Sequence, residues 1–483
     1  MNKQIILILF ISNSILAQTY YFNHKNNNIP LGATSISSMD VESADIDNDG
    51  DLDIIIAGEF RRNLLLFNDG TGVFREDATR LFPDKNPNDR LPGEDSEDIA
   101  IADFDLDGDL DLIFVSEDTD NHELLINDGT GRFTFISYNF PPSKGEAVAV
   151  LDLNNDNYPD IVIGNNGQNQ VYINNQDLSF TEDSSRWPTN IEGTQDLKLV
   201  DIDGDNDLDI IEGIDSGTNN LLINTNGFFT DESNRLPDIP ETIETRKVTL
   251  GDINNDGFVD LYYSNINFGG VANMQDRIFL NNGNGYFTDY TDSFPTYVKQ
   301  TLDAIFVDYD LDGDLDLFSV GYLDPSINYQ FFENTGNGIF KEASSDIVMP
   351  FKLTAGIALH SADFDGDSYP DIYIGSYQQS DDILFFNTAS LGLNSELLFN
   401  SIIVYPNPAD DTIILKIRTK DIFEKVTVEL INAQGQKIQT VFKGRLNFGL
   451  NEIFIDIEKQ KEGLYFIEIL TPKGKISKQI IIR

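Results

Sequence analysis

Seven copies of one nine-residue acidic segment run through this chain, and a repeat at fixed spacing restricts the fold more tightly than any other feature. They are DIDNDGDLD from Asp45, DFDLDGDLD from Asp103, DLNNDNYPD from Asp152, DIDGDNDLD from Asp201, DINNDGFVD from Asp252, DYDLDGDLD from Asp308 and DFDGDSYPD from Asp363. Successive starts lie 58, 49, 49, 51, 56 and 55 residues apart. One period of about 50 residues fits one four-stranded blade of a propeller.

What surrounds each segment supports that unit. A short apolar run precedes it, as in Ile99–Ala102, Val148–Leu151 and Ala304–Val307, and such runs suit innermost strands buried on both faces. After it comes an apolar strand ending in Asn, a Gly-rich turn and Phe, as in LLLFNDGTGVF ending at Phe74 and IFLNNGNGYF ending at Phe287. Asn-Asp-Gly and Asn-Gly pairs supply the positive φ of tight hairpins. The sequence therefore predicts an all-β chain, with a seven-bladed β-propeller over residues 18–392. The seventh unit lacks the Gly turn and its last strand. The segment around Tyr20-Tyr21-Phe22-Asn23 is expected to supply it, which removes the free edge of an open array.

The acidic segments have the chemistry of calcium loops. Calcium takes six to eight oxygens in flexible geometry. Side chains at positions 1, 3, 5 and 9 of a tight turn can surround one ion. The candidate ligands are Asp45, Asp47, Asp49 and Asp53 in the first loop, and Asp103, Asp105, Asp107 and Asp111 in the second. The third has Asp152, Asn154, Asp156 and Asp160; the fourth has Asp201, Asp203, Asp205 and Asp209. The fifth has Asp252, Asn254, Asp256 and Asp260; the sixth has Asp308, Asp310, Asp312 and Asp316; the seventh has Asp363, Asp365, Asp367 and Asp371. Four acids in nine residues repel one another unless a cation offsets them. Up to seven structural Ca2+ ions are expected, bound more weakly where Asn154 and Asn254 reduce the charge. Position 6 calls for positive φ, which Gly50, Gly108, Gly257 and Gly313 adopt freely and Asn157 and Asn206 tolerate. Ser368 fits it less well, so distortion is expected in the seventh loop.

The formal charge of −49 repels nucleic-acid phosphates and anionic membranes, so neither is expected as a partner. Residues 1–17 read as a signal peptide: Lys3, the apolar run Ile5–Ile11, and a cleavage point after Ala17. No segment reaches the length of a transmembrane helix. An exported chain with no cysteine lacks disulfides and needs another fastener, for which bound metal is a candidate.

These repeats resemble the FG-GAP/VCBS family, the calcium-loop propeller repeats related to those of integrin α chains. The resemblance implies calcium between the first two strands of each blade, and roles in adhesion or glycan binding. Near residue 400 the composition changes. Residues 402–483 carry 13 Lys+Arg against 10 Asp+Glu, while the preceding region is strongly acidic. Residues 393–401 are expected as a linker and 402–483 as a small β-sandwich. Its features are Tyr405-Pro406-Asn407-Pro408-Ala409, a hairpin turn at Asn432-Ala433-Gln434-Gly435, Gly463-Leu464-Tyr465 and a Lys-rich close. It is similar to the type A C-terminal sorting domain of type IX secretion. That implies the secretion machinery as a partner, a secreted or outer-surface location, and usual removal of the tail.

Two functions follow as expectations. The first is a binding or adhesion module for a glycan or surface protein, without catalysis. The alternative is a propeller-scaffold enzyme, a lyase or hydrolase acting on polysaccharide. Ligand contacts are expected on variable loops of the face away from the Asp loops: Arg61-Arg62, Asp118 to His122, Ser264 to Asp276 and Leu323 to Tyr329. Trp187 reads as packing between blades, and His122 as a solvated surface group.

Overall fold

A computed structural model describes residues 20–483, other than 25–27, 31–36, 60–61, 82–94, 118–121, 137–139, 142, 190–191, 240–242, 268–274, 296–299, 322–328, 345–346, 349–355, 378–381, 388–398, 406–408, 410, 420–422, 433–436, 458, 462 and 472–473. The expected signal peptide lies outside the described residues. The chain divides into two compact units, Met1–Asn387 and Thr388–Arg483.

The first unit holds seven sheets, six of them wholly antiparallel, each wound outward from its innermost strand. Blade 1 is Ser37–Ala44, Asp53–Glu59, Leu64–Asn68 and Phe74–Glu76, and blades 2 to 6 repeat that order. The innermost strands are Ser37–Ala44, Ser96–Ala102, Gly145–Leu151, Thr194–Val200, Glu244–Gly251, Thr301–Val307 and Gly356–Ala362. Each contacts the next, and the seventh contacts the first, so the ring closes. Each second strand is almost wholly buried, as in Asp111–Ser116, because a blade packs on both of its faces. The cores therefore lie between neighbouring blades. One such cluster joins Ile55, Leu65 and Phe67 of blade 1 to Ile99, Leu112 and Phe114 of blade 2.

Blade 7 has only three sequential strands, Gly356–Ala362, Asp371–Ser376 and Ile383–Asn387. The segment Tyr20–His24 pairs antiparallel with the last of them, Phe22 opposite Asn387 and His24 opposite Phe385. The short strand Ile347–Val348 lies outside it in parallel. The first strand of the described chain thus completes the last blade, as its sequence suggested. At the junction, Gly72 has φ 71°, and a Cβ there would meet the Phe386 ring at 2.4 Å, so blade 1 packs its turn directly on blade 7.

The second unit is a pair of antiparallel sheets. One holds Phe399–Tyr405, Thr412–Thr419 and Gly449–Asp456. The other holds Phe423–Asn432, Lys437–Leu446, Gly463–Thr471 and Gly474–Ile482. Alternating residues such as Val426, Val428, Leu430, Ile467 and Ile469 share one buried core. The first strand begins at Phe399, inside the segment expected as linker, because Phe399 pairs with Thr419.

Candidate metal centres

Each acidic segment forms the hairpin loop between the innermost and second strands of its blade. In loop one, Asp45 folds over its own turn, its two carboxylate oxygens accepting the amides of Asp49 and Gly50, each at 3.0 Å. Asp49 accepts the amide of Asp51 at 3.1 Å. Asp53 is fully buried, and its oxygens accept the amides of Ile46 at 3.1 Å and Asn68 at 2.9 Å. The same pair of bonds recurs at Asp111, Asp160, Asp209, Asp260, Asp316 and Asp371. Position 9 is thus a staple between the loop and the third strand as well as a candidate ligand.

Burial pushes these position-9 carboxyls up. Backbone donors oppose the shift and neighbouring loop acids add to it. Asp53, Asp111 and Asp260 reach about 7, Asp160 and Asp209 about 6, and Asp316 and Asp371 about 8. A cation in the loop would act in the opposite direction.

The donors converge. Oxygens of Asp45, Asp47 and Asp53 lie within 4.8 Å of one another, as do those of Asp103, Asp105 and Asp111, of Asp201, Asp203 and Asp209, and of Asp308, Asp310 and Asp312. Asp47 Oδ1 is buried without a hydrogen-bond partner, although Asp47 Oδ2 takes Arg80 Nη1 at 3.1 Å. A set of carboxylate oxygens with one buried and unsatisfied fits a hard cation. In loops three and five the Asn amides turn inward instead: Asn154 Nδ2 donates to Asp156 at 3.1 Å and Asn254 Nδ2 to Asp256 at 3.0 Å.

Loop seven is not distorted, contrary to the expectation from Ser368. Ser368 takes φ 73°, and its amide donates to Asp363 at 2.8 Å, as in the other loops. The hydrogen bond to the position-1 carboxylate holds Ser368 in the conformation of its counterparts, and a second left-handed position, which the sequence reading missed, accompanies it. Position 4 has positive φ at Asn48, Leu106, Asn155, Gly204, Asn255, Leu311 and Gly366. Loops four and seven carry their glycine at this position, not at position 6.

The other candidates resolve differently. Trp187 is buried between blades 3 and 4, its ring 4.9 Å from that of Phe229. His122 is 4% exposed and not a solvated surface group. Its Nδ1 accepts the amide of Ser116 at 3.2 Å and its Nε2 lies 2.8 Å from Ser143 Oγ, so it pins a loop to the next blade. Of the variable loops named above, Arg61 and residues 118–121, 268–274 and 323–328 lie outside the described residues.

The sequence reading also missed the axis of the ring. Every innermost strand shifts register at one bulge, as between Ser38 and Asp40. The residue after each bulge lies five positions before the Asp loop: Asp40, Asp98, Ala147, Asp196, Lys247, Asp303 and Ala358. Lys247, from blade 5, crosses the axis to Asp40 of blade 1 at 3.2 Å and Asp98 of blade 2 at 3.6 Å. Asp98, Asp196 and Asp303 each accept an amide from the following blade, those of Val148, Val248 and Leu359, at 2.8, 2.7 and 2.6 Å.

Comparison with known proteins agrees with both units. FG-GAP-like repeats match residues 45–114, 103–163, 152–212 and 308–374, and a secretion system C-terminal sorting domain matches residues 403–483. No curated protein matches the chain. Among solved structures, an Agrocybe aegerita lectin for non-reducing terminal N-acetylglucosamine is 16% identical, covering 71% of this chain and 87% of its own, with a TM-score of 0.43. PorZ, a type IX secretion surface component of Porphyromonas gingivalis, is 13% identical over 94% of this chain and 61% of its own, with a TM-score of 0.47. BBS1N in complex with ARL6DN is 10% identical over 77% of this chain and 99% of its own, with a TM-score of 0.49. None of these likenesses bears on ligand or activity.

Proposed function

We propose that this chain, a protein of FG-GAP-like repeats ending in a secretion system C-terminal sorting domain, is a calcium-fastened binding module. Its sorting domain places it outside the cell, secreted or on the surface. The observation that carries the calcium reading is the convergence of carboxylate oxygens within 4.8 Å in loops one, two, four and six. The side chains at positions 1, 3, 5 and 9 would hold each ion, which would supply the positive charge that the crowded acids lack. Extracellular calcium modules bind at about 10⁻⁴ to 10⁻³ M, and at tenfold excess one site adds about 1.4 kcal/mol.

With the Asp loops acting as fasteners, recognition falls to the opposite end of the blades, where the longer connections lie over a rigid scaffold. The ligand classes that suit an exported scaffold of this kind are surface glycans and surface proteins. The test is a glycan array and a surface-protein panel probed with the intact protein in calcium and again in EDTA. Calcium-dependent retention of a defined ligand supports the module. Turnover of a polysaccharide in the same samples would replace it with the enzyme reading.

A further inference from the structure

One ring of positions behaves unlike the rest of the repeat. Six residues before each Asp loop stand Met39, Glu97, Glu146, Gln195, Arg246, Leu302 and Ile357. The repeats hold their loop acids nearly constant, yet this position carries three apolar residues, two acids, an amide and a guanidinium. All seven residues line one axial cavity of about 230 Å³, at the end of the strands away from the Asp loops. Glu59, Glu117 and Tyr377, from the ends of second strands, complete its wall, and Lys247 contributes to its lining.

The cavity has two unlike sides. On one, carboxylate oxygens of Glu97, Glu117 and Glu146 lie within 4.8 Å of one another. On the other, Leu302 and Ile357 form a small apolar cluster with Ile266, against which Met39 and Tyr377 pack. Glu97 is 7% exposed and Glu146 9%. Neither carboxylate makes a hydrogen bond or ion pair with a described residue. Carboxylates drawn this far out of solvent gain from a cationic partner in the cavity they line. Burial, and after it Glu146, drives the Glu97 carboxyl well above its usual range; burial, and after it Glu117, brings Glu146 to about 7. Of the nearby cations, Arg246 acts on both carboxyls and lowers them without offsetting their burial. The Arg246 guanidinium donates to Gln195, and Lys247 is held by Asp40 and Asp98.

We propose that this cavity binds an organic ammonium ion, its head among Glu97, Glu117 and Glu146 and its apolar body against Met39, Leu302, Ile357 and Tyr377. An ammonium offers three N–H donors and needs three acceptors around it, which the converging carboxylates provide. A bare divalent cation would use the acids and leave half of the lining without a role.

The proposal deepens the binding-module reading and rests on it. The test uses the intact protein with calcium present throughout, so that the loop sites are saturated. Benzylamine is titrated by calorimetry or ligand-observed NMR, with benzyl alcohol as its neutral counterpart. Benzylamine should bind one to one, at least about tenfold more tightly than the alcohol. The double variant Glu97→Gln, Glu146→Gln should lose that binding by about tenfold or more, while melting no lower than the wild-type protein. The assignment is overturned by absence of benzylamine binding, by equal binding of the alcohol, or by binding unchanged in the variant. Displacement of benzylamine by added calcium that depends on Glu97 and Glu146 overturns it in favour of a metal site. Any of these leaves the module reading to be judged by surface-ligand retention.

Discussion

The side-chain amide of Asn68 donates to the carbonyl of Phe364 at 2.9 Å, joining residues 296 apart in sequence across the seam between first and last blades. Asn127, Asn174, Asn334 and Asn387 make the equivalent bond to Ile46, Phe104, Ile253 and Tyr309 of the preceding blades. Each reaches position 2 of a neighbour's Asp loop. Asn68→Ala leaves a buried carbonyl without its donor, which costs about 1–3 kcal/mol. Denaturant unfolding should show that loss, and Asn68→Asp should not restore it, since a carboxylate cannot donate.

Calcium removal is the broadest test of the loops. Melting in EDTA should begin well below melting in millimolar calcium, because several carboxylate clusters lose their counter-ion together. Identical melting curves would remove calcium from the account. Asp103→Asn combined with Asp105→Asn should narrow the gap between the two conditions by one site's share, about 1.4 kcal/mol at tenfold excess.

Leu106 adopts φ 58° on the surface of loop two, where a β-carbon is disfavoured by about 1–2 kcal/mol. Leu106→Gly relieves that strain at some cost in chain entropy, for a net gain of about 0.5–1 kcal/mol. The gain should appear in EDTA as well as in calcium, which separates backbone strain from any effect on ion binding.

Asp303 gives a pH dependence with a defined sign. Burial raises its carboxyl to about 7 in the folded chain, against about 3.9 unfolded. A raised acid favours the fold while it is protonated, so its contribution is complete below pH 4 and is lost as pH rises towards 7. Asp303→Asn should flatten the decline of stability over that interval. Its amide retains an oxygen for the Leu359 backbone donor, and a slope unchanged from wild type would exclude Asp303 as the source.

Deleting Tyr20–His24 strips the outer partner from Ile383–Asn387. An exposed strand edge is a template for pairing with another chain. Size-exclusion chromatography should show dimers or larger species, and proteolysis should open blade 7 first. A monomer with the wild-type digestion pattern would contradict this.

How much of this was readable from the chain follows from distance along it. The Asp loops were legible because their donors sit within nine residues of one another and recur seven times. The completing strand at Tyr20 was legible because the seventh unit visibly lacked its turn. The position-4 backbone was not, since Leu106 and Leu311 carry no propensity for left-handed φ. His122 was misread because its partner Ser143 belongs to the connection into the next blade. The axial cavity was hidden most deeply. Glu97 and Glu146 look like ordinary strand acids until ring closure places them side by side, although their fixed offset from the Asp loops was present in the repeat.

The last propeller strand, Ile383–Asn387, is flanked on one side by Asp371–Ser376 and on the other by Tyr20–His24. Both of these strand partners precede Asn387 in the chain. A cut beyond Asn387 would take the sorting address away and leave both of these strand pairings in place.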